Sequence, residues 1–477
     1  MTSDVSIRDF RGRNVLILGL GVLGGGLGMA RYCAKYGARL RITDLRDKEK
    51  LRPALEALRD VEAEYVLGEH RADDVEWADL VVRNPGVRPD HELLKLAEKL
   101  GKPVEMEVPY FARHCPARLV AVTGTKGKTS TTTVLHQFLQ AGGRTVHLAG
   151  NMGESAMALL DALTPEDEVL LEVSSYQLEG LAGRGAPLRV AVITNVEDDH
   201  LDRYGDIEAY RRVKASVAEG QSAEDWLVLP AWDAELALRC DRWPSKKVYV
   251  RRPGAPENAA VEHNAAAVVS IEDRSVRWQQ SEGACEVIAD LRELTLLGAH
   301  NLVNVAFAAA AAYAGGREPR DISAAVPLLT PVAHRLEPVG RVHGIDFIND
   351  SAASAPVAVI AALEAVSDRR PVVIAGGVDK AADYTRMIDA LVTAEVPLVL
   401  LPGSATDRLV AELDRRGRPE PERVSSMAEA VTVAYRLARE LPADVVLLSP
   451  GAASHGLFVN EFDRGRQFGR AVDQLEM

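Results

Sequence analysis

Cysteine and aromatic residues are scarce in this chain, and long apolar runs are missing. Its 477 residues hold four cysteines, Cys33, Cys115, Cys240 and Cys285, far apart and without C-x-x-C spacing. That spread excludes a disulfide framework and a zinc-thiolate site, and it points to a reducing, cytoplasmic setting. No apolar stretch free of polar interruption reaches the roughly 18 residues of a membrane-crossing helix, so no membrane role is expected. Positive charge is also short. The 56 Lys and Arg against 69 Asp and Glu leave a net charge of -13, which argues against a nucleic-acid surface but leaves room for a local basic pocket for phosphates. Arg8, Arg11 and Arg13 before the apolar stretch Val15 to Ala30 imitate a secretory signal. That stretch contains a glycine fingerprint, so it is read as strand, turn and helix instead.

What is present is an α/β composition, 47% hydrophobic and 26% charged, in a chain long enough for roughly three domains. Ala121 to Thr131, Ala-Val-Thr-Gly-Thr-Lys-Gly-Lys-Thr-Ser-Thr, is the most informative segment. A short apolar run breaks into a glycine turn that delivers Lys128 and Thr129 to a helix start. Backbone N–H groups of such a turn face an anion, the lysine adds fixed charge, and the threonine hydroxyl ligates magnesium. Gly124, Thr125, Lys126, Gly127, Lys128, Thr129 and Ser130 are the candidate ATP-binding loop. Val122 stands where the general P-loop pattern has its first glycine.

Upstream, Val15 to Leu18 leads into Gly19-Leu-Gly21-Val22-Leu23-Gly24, and a second apolar run ends at Asp44. Strand, glycine turn, helix and a second strand closed by an acid form the dinucleotide-binding pattern. Taken alone, it predicts a dehydrogenase. Leu80 to Arg83, stopping at Asn84-Pro-Gly86, and a strand beginning at Lys102 complete a Rossmann-like unit over residues 1–105. A second unit, 106–330, holds the phosphate loop, Glu168 to Val173 and Val190 to Asn195 as buried parallel strands. Within it, Val248 to Val250 and Ser275 to Trp278 read as a small antiparallel extension, and Asn301 to Ala314 as a buried helix stopped by Gly315-Gly316. In 331–477, four apolar runs from Gly344, Pro371, Pro397 and Asp444 alternate with helical stretches. They predict a second doubly wound sheet with ligands at its strand C-termini.

Glu172 has apolar neighbours, so its ionised carboxylate needs a cation: an arginine partner or, the better candidate, a magnesium ion bridging to the ATP phosphates with Thr129 as a second ligand. His200, in Glu-Asp-Asp-His-Leu-Asp, follows the next strand at the same sheet edge and is a second candidate metal ligand. Lys214 in Tyr-Arg-Arg-Val-Lys reads by itself as a solvated lysine.

The T-G-T-x-G-K-T loop resembles that of the Mur ligases, the ATP-dependent amide-forming enzymes of peptidoglycan precursor synthesis, and is shared with folylpolyglutamate synthetases. Further segments follow in the order of the Mur pattern: Glu172-Val-Ser-Ser-Tyr-Gln-Leu-Glu179, Asp199-His-Leu-Asp202, Gly298-x-His-Asn301-x-x-Asn304, His334-Arg335-x-Glu337 and Asn349-Asp350-Ser351. The G-L-G-x-x-G turn, Thr43-Asp-Leu-Arg46, Gly150-Asn151-Met-Gly and Leu448 to Ser454 are similar to the glutamate-adding branch.

The resemblance implies an α/β chain of three domains: an N-terminal Rossmann-like domain for the UDP-substrate, a central P-loop-type ATPase domain, and a C-terminal Rossmann-like domain for glutamate. It implies ATP with two Mg2+ ions, and UDP-N-acetylmuramoyl-L-alanine and glutamate as substrates, with D-glutamate favoured. Carbamylated Lys214 would join Thr129, Glu172 and His200 as a metal ligand, and Lys128, Glu172, His200 and Lys214 form the catalytic set. Asn301 and Asn304 would flank the adenine, Arg335 a phosphate and Asp350 the ribose. Gly21, Val22, Leu23, Asp44, Leu45, Arg46, Asn84, Gly86 and Asn151 would hold the UDP-substrate, with His200 beside Asn151 at the muramoyl-alanine end. Lys380, Ser454 and Phe462 would hold glutamate. A cytoplasmic monomer with small-molecule substrates is expected.

Two departures touch the glutamate pocket. Ala352 stands where the family often has lysine, and the spacing near Phe458 to Phe462 differs by about one residue. They leave D- against L-glutamate open. A dehydrogenase, a regulatory ATPase and a folylpolyglutamate synthetase remain the competing readings.

Overall fold

The structure, a computed structural model, describes residues 10–21, 25–141, 143–152, 155–281, 283 and 285–475. Val22 and Leu23 of the expected UDP site lie outside the described residues. The chain divides into two compact units. One is Met1–Leu294 with Val303–Leu328; the other is Thr295–Leu302 with Leu329–Met477.

The first unit carries two sheets. Strands β1 (Asn14–Leu18), β2 (Arg39–Asp44), β3 (Glu64–Leu67), β4 (Leu80–Arg83) and β5 (Val104–Glu105) form a five-stranded sheet ordered β3-β2-β1-β4-β5. Every pairing in it is parallel. This is the order of a dinucleotide-binding half, whose ligand crevice opens where the chain reverses direction beside β1. The buried runs Val15 to Leu18 and Leu80 to Val82 need helices on both faces to exclude water.

The second sheet has nine strands: β6 (Arg118–Thr123), β7 (Val146–Gly150), β8 (Glu168–Glu172), β9 (Leu188–Ile193), β10 (Trp226–Pro230), β11 (Lys246–Val250), β12 (Ala267–Glu272), β13 (Ser275–Gln280) and β14 (Cys285–Asp290). Their order is β14-β13-β12-β11-β10-β9-β6-β8-β7. The expected antiparallel extension is smaller than the sequence suggested. β11, with Val248 to Val250, pairs parallel to both β10 and β12, and only β12-β13-β14 is antiparallel. A short apolar strand bounded by turns has the same local pattern in either orientation, so only its long-range partner decides.

The two sheets share one core. Phe10, Val15 and Met29 belong to the same buried cluster as Tyr110, Leu119, Met157 and Leu171. At its margin, Lys35 Nζ and Tyr36 Oη each lie 2.5 Å from an Asp161 carboxylate oxygen.

The second unit holds β15 (Glu337–Val342), β16 (Ile345–Asn349), β17 (Pro371–Gly376), β18 (Leu398–Leu401), β19 (Glu422–Arg423) and β20 (Val445–Leu448), ordered β15-β16-β20-β17-β18-β19. All pairings are parallel except β15 with β16. The helix Ala299–Ala314 begins in this unit and ends in the first one. Its buried stretch Val305 to Ala312 matches the alanine-rich run. Alanine has the strongest helix propensity and lets neighbouring elements approach closely.

Two buried charges generate tests of this fold. Arg317, 4% exposed, donates to Leu139 O at 3.0 and 2.8 Å and to Glu168 Oε2 at 2.6 Å. Removing the guanidinium strands Glu168, so Arg317→Ala should cost about 3–5 kcal/mol in urea unfolding. A cost below about 1 kcal/mol would mean Glu168 finds water. Glu107 lies beside the glycine-turn helix: a Cβ at Gly28 would sit 2.6 Å from its Oε1. Burial outweighs hydrogen bonds from Ser155 and the Met157 backbone and raises its pKa to about 7 from 4.5. The folded state therefore favours the proton. This contribution is full below pH 4.5 and is lost as pH rises through about 7. Glu107→Gln should flatten that part of a thermal-stability profile; an unchanged profile would place the titration elsewhere.

Candidate active site

Four neighbouring parallel strands of the nine-stranded sheet end at one edge. Val122 of β6 lies opposite Glu172 of β8 and Val192 of β9, and Gly150 of β7 lies opposite Glu172. The phosphate loop, Glu172, Thr194 and Asn151 therefore emerge side by side, as an open α/β sheet presents ligand-binding groups.

The loop is held from below. Asn195 Oδ1 accepts from Lys126 N at 2.8 Å, and Thr194 Oγ1 donates to Lys126 O at 2.6 Å. Thr125 turns its buried hydroxyl inward to accept from Glu197 N at 3.0 Å, and its backbone N–H donates to Asn195 O at 3.0 Å, so this residue braces the loop. Gly127 has φ +77°, and a Cβ there would come 2.6 Å from Asn304 Oδ1. The loop can therefore pack this closely on Asn304 only with glycine. Helix Lys128–Ala141 starts directly afterwards, with Thr129 and Ser130 in its first turn. Lys128 Nζ donates back to Gly124 O at 3.0 Å and Thr125 O at 2.8 Å.

Glu172 is 1% exposed. Its Oε1 accepts from Asn151 Nδ2 at 2.8 Å, while Oε2 is buried without a hydrogen-bond partner. An orphaned carboxylate oxygen at such a position suits a cation. Lys214, also 1% exposed, donates to Gly124 O at 2.8 Å and Thr123 Oγ1 at 3.1 Å. Burial, assisted by the charge of Lys128 and opposed by Asp199 and Glu172, holds its ammonium well below the usual range. The local reading of Lys214 as solvated does not hold, because the helix Ile207–Ala215 turns this position inward beneath the loop. His200 takes φ +54° just before the short helix Leu201–Tyr204 and shares a hydrogen bond through Nδ1 with Tyr176 Oη at 3.0 Å. Glu172, Lys214, Lys128 and Thr129 are hard-oxygen or charge-bearing groups at one edge, and they fit a magnesium–phosphate assembly. Among the described residues, no group of three His, Cys, Asp or Glu forms a metal cluster.

At the first sheet, Asp44 closes β2 beside the glycine turn. Its carboxylate accepts from Gly21 N at 3.0 Å and Arg46 N at 2.9 Å, so it fastens the glycine turn. Asn84 covers that turn, its Nδ2 lying 2.8 Å from where a Cβ on Gly21 would be. Its Oδ1 accepts from Gly86 N at 2.9 Å. Leu45, 65% exposed, and Arg46 are left to meet a ligand. The cavity of about 570 Å³ lined by Arg83, Lys95, Lys102, Glu179 and Arg184 contains none of the expected site residues.

In the second unit, Asn301 Nδ2 donates to Leu297 O at 2.7 Å. Asp350 accepts from Ser449 Oγ at 2.8 Å and Leu336 N at 3.3 Å. Burial raises its pKa to about 7 against these bonds and the charges of Arg335 and Arg464. An antiparallel bridge between Val378 and Ala453 brings the exposed Lys380 and the buried Ser454 onto neighbouring loops. Phe462, 53% exposed, packs its ring 5.9 Å from that of His334. Sequence reasoning missed Arg464, which donates to Ser351 Oγ and O at 3.0 and 2.7 Å and to Ala452 O at 3.0 Å. It also missed Arg203, Tyr176 and Asn195. Each lay inside or beside a quoted segment, yet only folding gives it a partner.

Comparison with known proteins agrees with this layout. Family models describing a Mur ligase MurD-like N-terminal domain, a Mur ligase middle domain and a Mur ligase glutamate ligase domain match residues 13–105, 122–312 and 334–451. The UDP-N-acetylmuramoylalanine–D-glutamate ligase of Roseiflexus sp. is 39% identical over 97% of this chain and 99% of its own length. Its namesake from Desulfotalea psychrophila is 35% identical over 96% of both. Two solved structures share the fold. The UDP-N-acetylmuramate–alanine ligase of Thermotoga maritima has a TM-score of 0.56 at 18% identity, covering 97% of this chain and 99% of its own. The folylpolyglutamate synthase of Mycobacterium tuberculosis has 0.54 at 17%, covering 77% of this chain and 92% of its own. With all three of its family segments present in order and close to full-length relatives at this identity, the chain belongs to the Mur ligase family.

Proposed function

We propose that the chain is an ATP-dependent ligase that joins D-glutamate to the alanyl carboxylate of UDP-N-acetylmuramoyl-L-alanine, in the synthesis of peptidoglycan precursor. The observation that carries this reading is the sheet edge at which Glu172, with its unpartnered Oε2, meets the phosphate loop, Lys214 and Asn151. The relatives' names specify the D-isomer. The folylpolyglutamate reading is less favoured, since the five-stranded N-terminal sheet matches the MurD-like domain.

In this reading, residues 1–105 hold the UDP-substrate, 106–330 the ATP and 331–477 the glutamate. The backbone of Gly124 to Ser130 and the Lys128 ammonium hold the ATP phosphates. The γ-phosphoryl group passes to the alanyl carboxylate; the glutamate amine attacks the acyl phosphate, and the tetrahedral adduct expels phosphate. Asn151 and His200 orient the carboxylate end, Asn304 and Asn301 flank the adenine, Asp350 takes the ribose and Arg335 a phosphate. Lys380, Ser454 and Phe462 hold the amino acid. Thr129, Glu172, His200 and a carbamylated Lys214 would hold two magnesium ions, which would supply positive charge beside the transferred group. Lys214 is suited to carbamylation because burial favours its neutral amine, the form that adds carbon dioxide. The protein acts as a monomer in the cytoplasm.

An assay of phosphate release with the UDP-sugar fixed and each amino acid and its mirror image varied tests this function. D-glutamate should stand out, and release independent of the UDP-sugar would favour a plain ATPase. Gly127→Ala should lower affinity for a non-hydrolysable ATP analogue by at least roughly tenfold, since the strain of positive φ costs about 1–2 kcal/mol and the Asn304 clash adds to it. Unaltered binding would move the nucleotide off this loop. Stripping carbon dioxide from the buffer should depress activity and bicarbonate should restore it; indifference would remove the carbamate.

A further inference from the structure

Between the glycine turn of the first sheet and His200 of the second runs a continuous polar chain. Asn84 covers the turn, and the next carbonyls, Pro85 O and Val87 O, accept from Arg203 Nη2 at 2.9 and 3.3 Å. The same guanidinium grips Glu179 bidentately, Nε to Oε1 at 2.7 Å and Nη2 to Oε2 at 2.8 Å. It also lies 4.2 Å over the ring of Tyr176, whose hydroxyl bonds His200 Nδ1. Arg88 returns the contact, donating to Asp202 O at 3.1 Å and Arg203 O at 3.4 Å. The side chains of Arg83, Arg203 and Glu179 are each 6% exposed.

Charge and helix length make Arg203 the deciding member. Arg83 donates to Glu179 Oε2 at 2.6 Å, but burial outweighs the carboxylate and leaves it below its ordinary range. For Arg203, burial is overcome by the two bonds and the charge of Glu179, and it ends above. Two guanidiniums thus share one buried carboxylate beneath the Asn84 to Val87 loop. The helix carrying Arg203 spans only Leu201–Tyr204. Four residues have no stability of their own, so the grip of Arg203 and of Tyr204 Oη, 3.0 Å from Glu179 Oε1, fixes the segment that presents His200.

We propose that Arg203 is a positioning residue, whose bonds to Glu179 and to the Pro85 and Val87 carbonyls set the reach between the UDP-holding turn and His200. This rests on the ligase reading above. A nucleotide-sugar acid spanning that reach places its carboxylate by the distance between its two anchors. An error of about 1 Å costs on the order of a hundredfold in rate. The phosphate loop meets this segment upstream of Arg203, at Asp199, 3.6 Å from Lys126 Nζ, and at Glu197, whose N donates to Thr125 Oγ1, so nucleotide affinity should change less than substrate affinity.

The test compares wild type with Arg203→Met, Arg203→Lys and Tyr176→Phe. Arg203→Met should raise KM for UDP-N-acetylmuramoyl-L-alanine and lower kcat, together by roughly 10- to 100-fold, with affinity for a non-hydrolysable ATP analogue held within about twofold. Arg203→Lys keeps the charge without the fork and should recover part of the loss. Tyr176→Phe keeps the stack, releases His200 and should lower kcat more than it raises KM. Equal loss of substrate and nucleotide binding, or none of either, overturns the proposal. A readout independent of turnover separates it from the ligase reading: the His200 ring-nitrogen shifts, assigned with His200→Gln, should move in Arg203→Met and Tyr176→Phe. If wild type neither binds nor consumes the UDP-sugar acid, the functional reading falls, and an unmoved His200 spectrum then also refutes positioning.

Discussion

A buried carboxylate oxygen without a partner is the constraint around which the central sheet is arranged. Glu172 Oε2 is sealed from water at the end of β8, and an ionised oxygen in such surroundings is tolerated only with compensating charge. The ammonium groups of Lys128 and Lys214 supply positive potential nearby, yet Lys214 is itself held toward its neutral form. The edge is therefore short of cation by design. Parallel strand pairing puts Gly150, Glu172, Val122 and Val192 in one row, so the Glu172 carboxylate and the phosphate loop share one sheet edge.

Rigidity beneath that edge comes from side chains directed into the sheet. Asn195 and Thr194 fasten the loop at Lys126, and Thr125 spends its hydroxyl on Glu197. Asp44 does the same for the glycine turn of the first sheet through Gly21 N–H, and for the end of its own strand through Arg46 N–H. In both cases a short polar side chain satisfies turn amides that would otherwise stay unpaired and shapes the turn before any ligand arrives. The first two sheets also share a core, which fixes the span between the two turns.

Motif readings worked where the chemistry is local. The glycine turns, the strand ends at Leu18 and Arg83, and the alanine-rich helix follow from patterns within a few residues. They failed where identity depends on a distant partner. Val248 to Val250 has the composition of a strand in either orientation, and its parallel pairing is set by β10 and β12. Lys214 reads as a surface lysine until the helix Ile207–Ala215 is seen to tuck it under Gly124, 90 residues away in sequence. Arg317 and Glu168 are 149 residues apart, and neither has a local signature.

By itself, the sequence determined the α/β class and the places of the two glycine turns, because these rest on steric rules for glycine and on periodic burial. Only the tertiary structure decided which side chains are spent on bracing, as Thr125 and Asp44 are, and which keep an unpartnered atom, as Glu172 does. The physical reason is that hydrogen-bond satisfaction and desolvation are set by all neighbours at once, and those neighbours come from strands far apart in the chain.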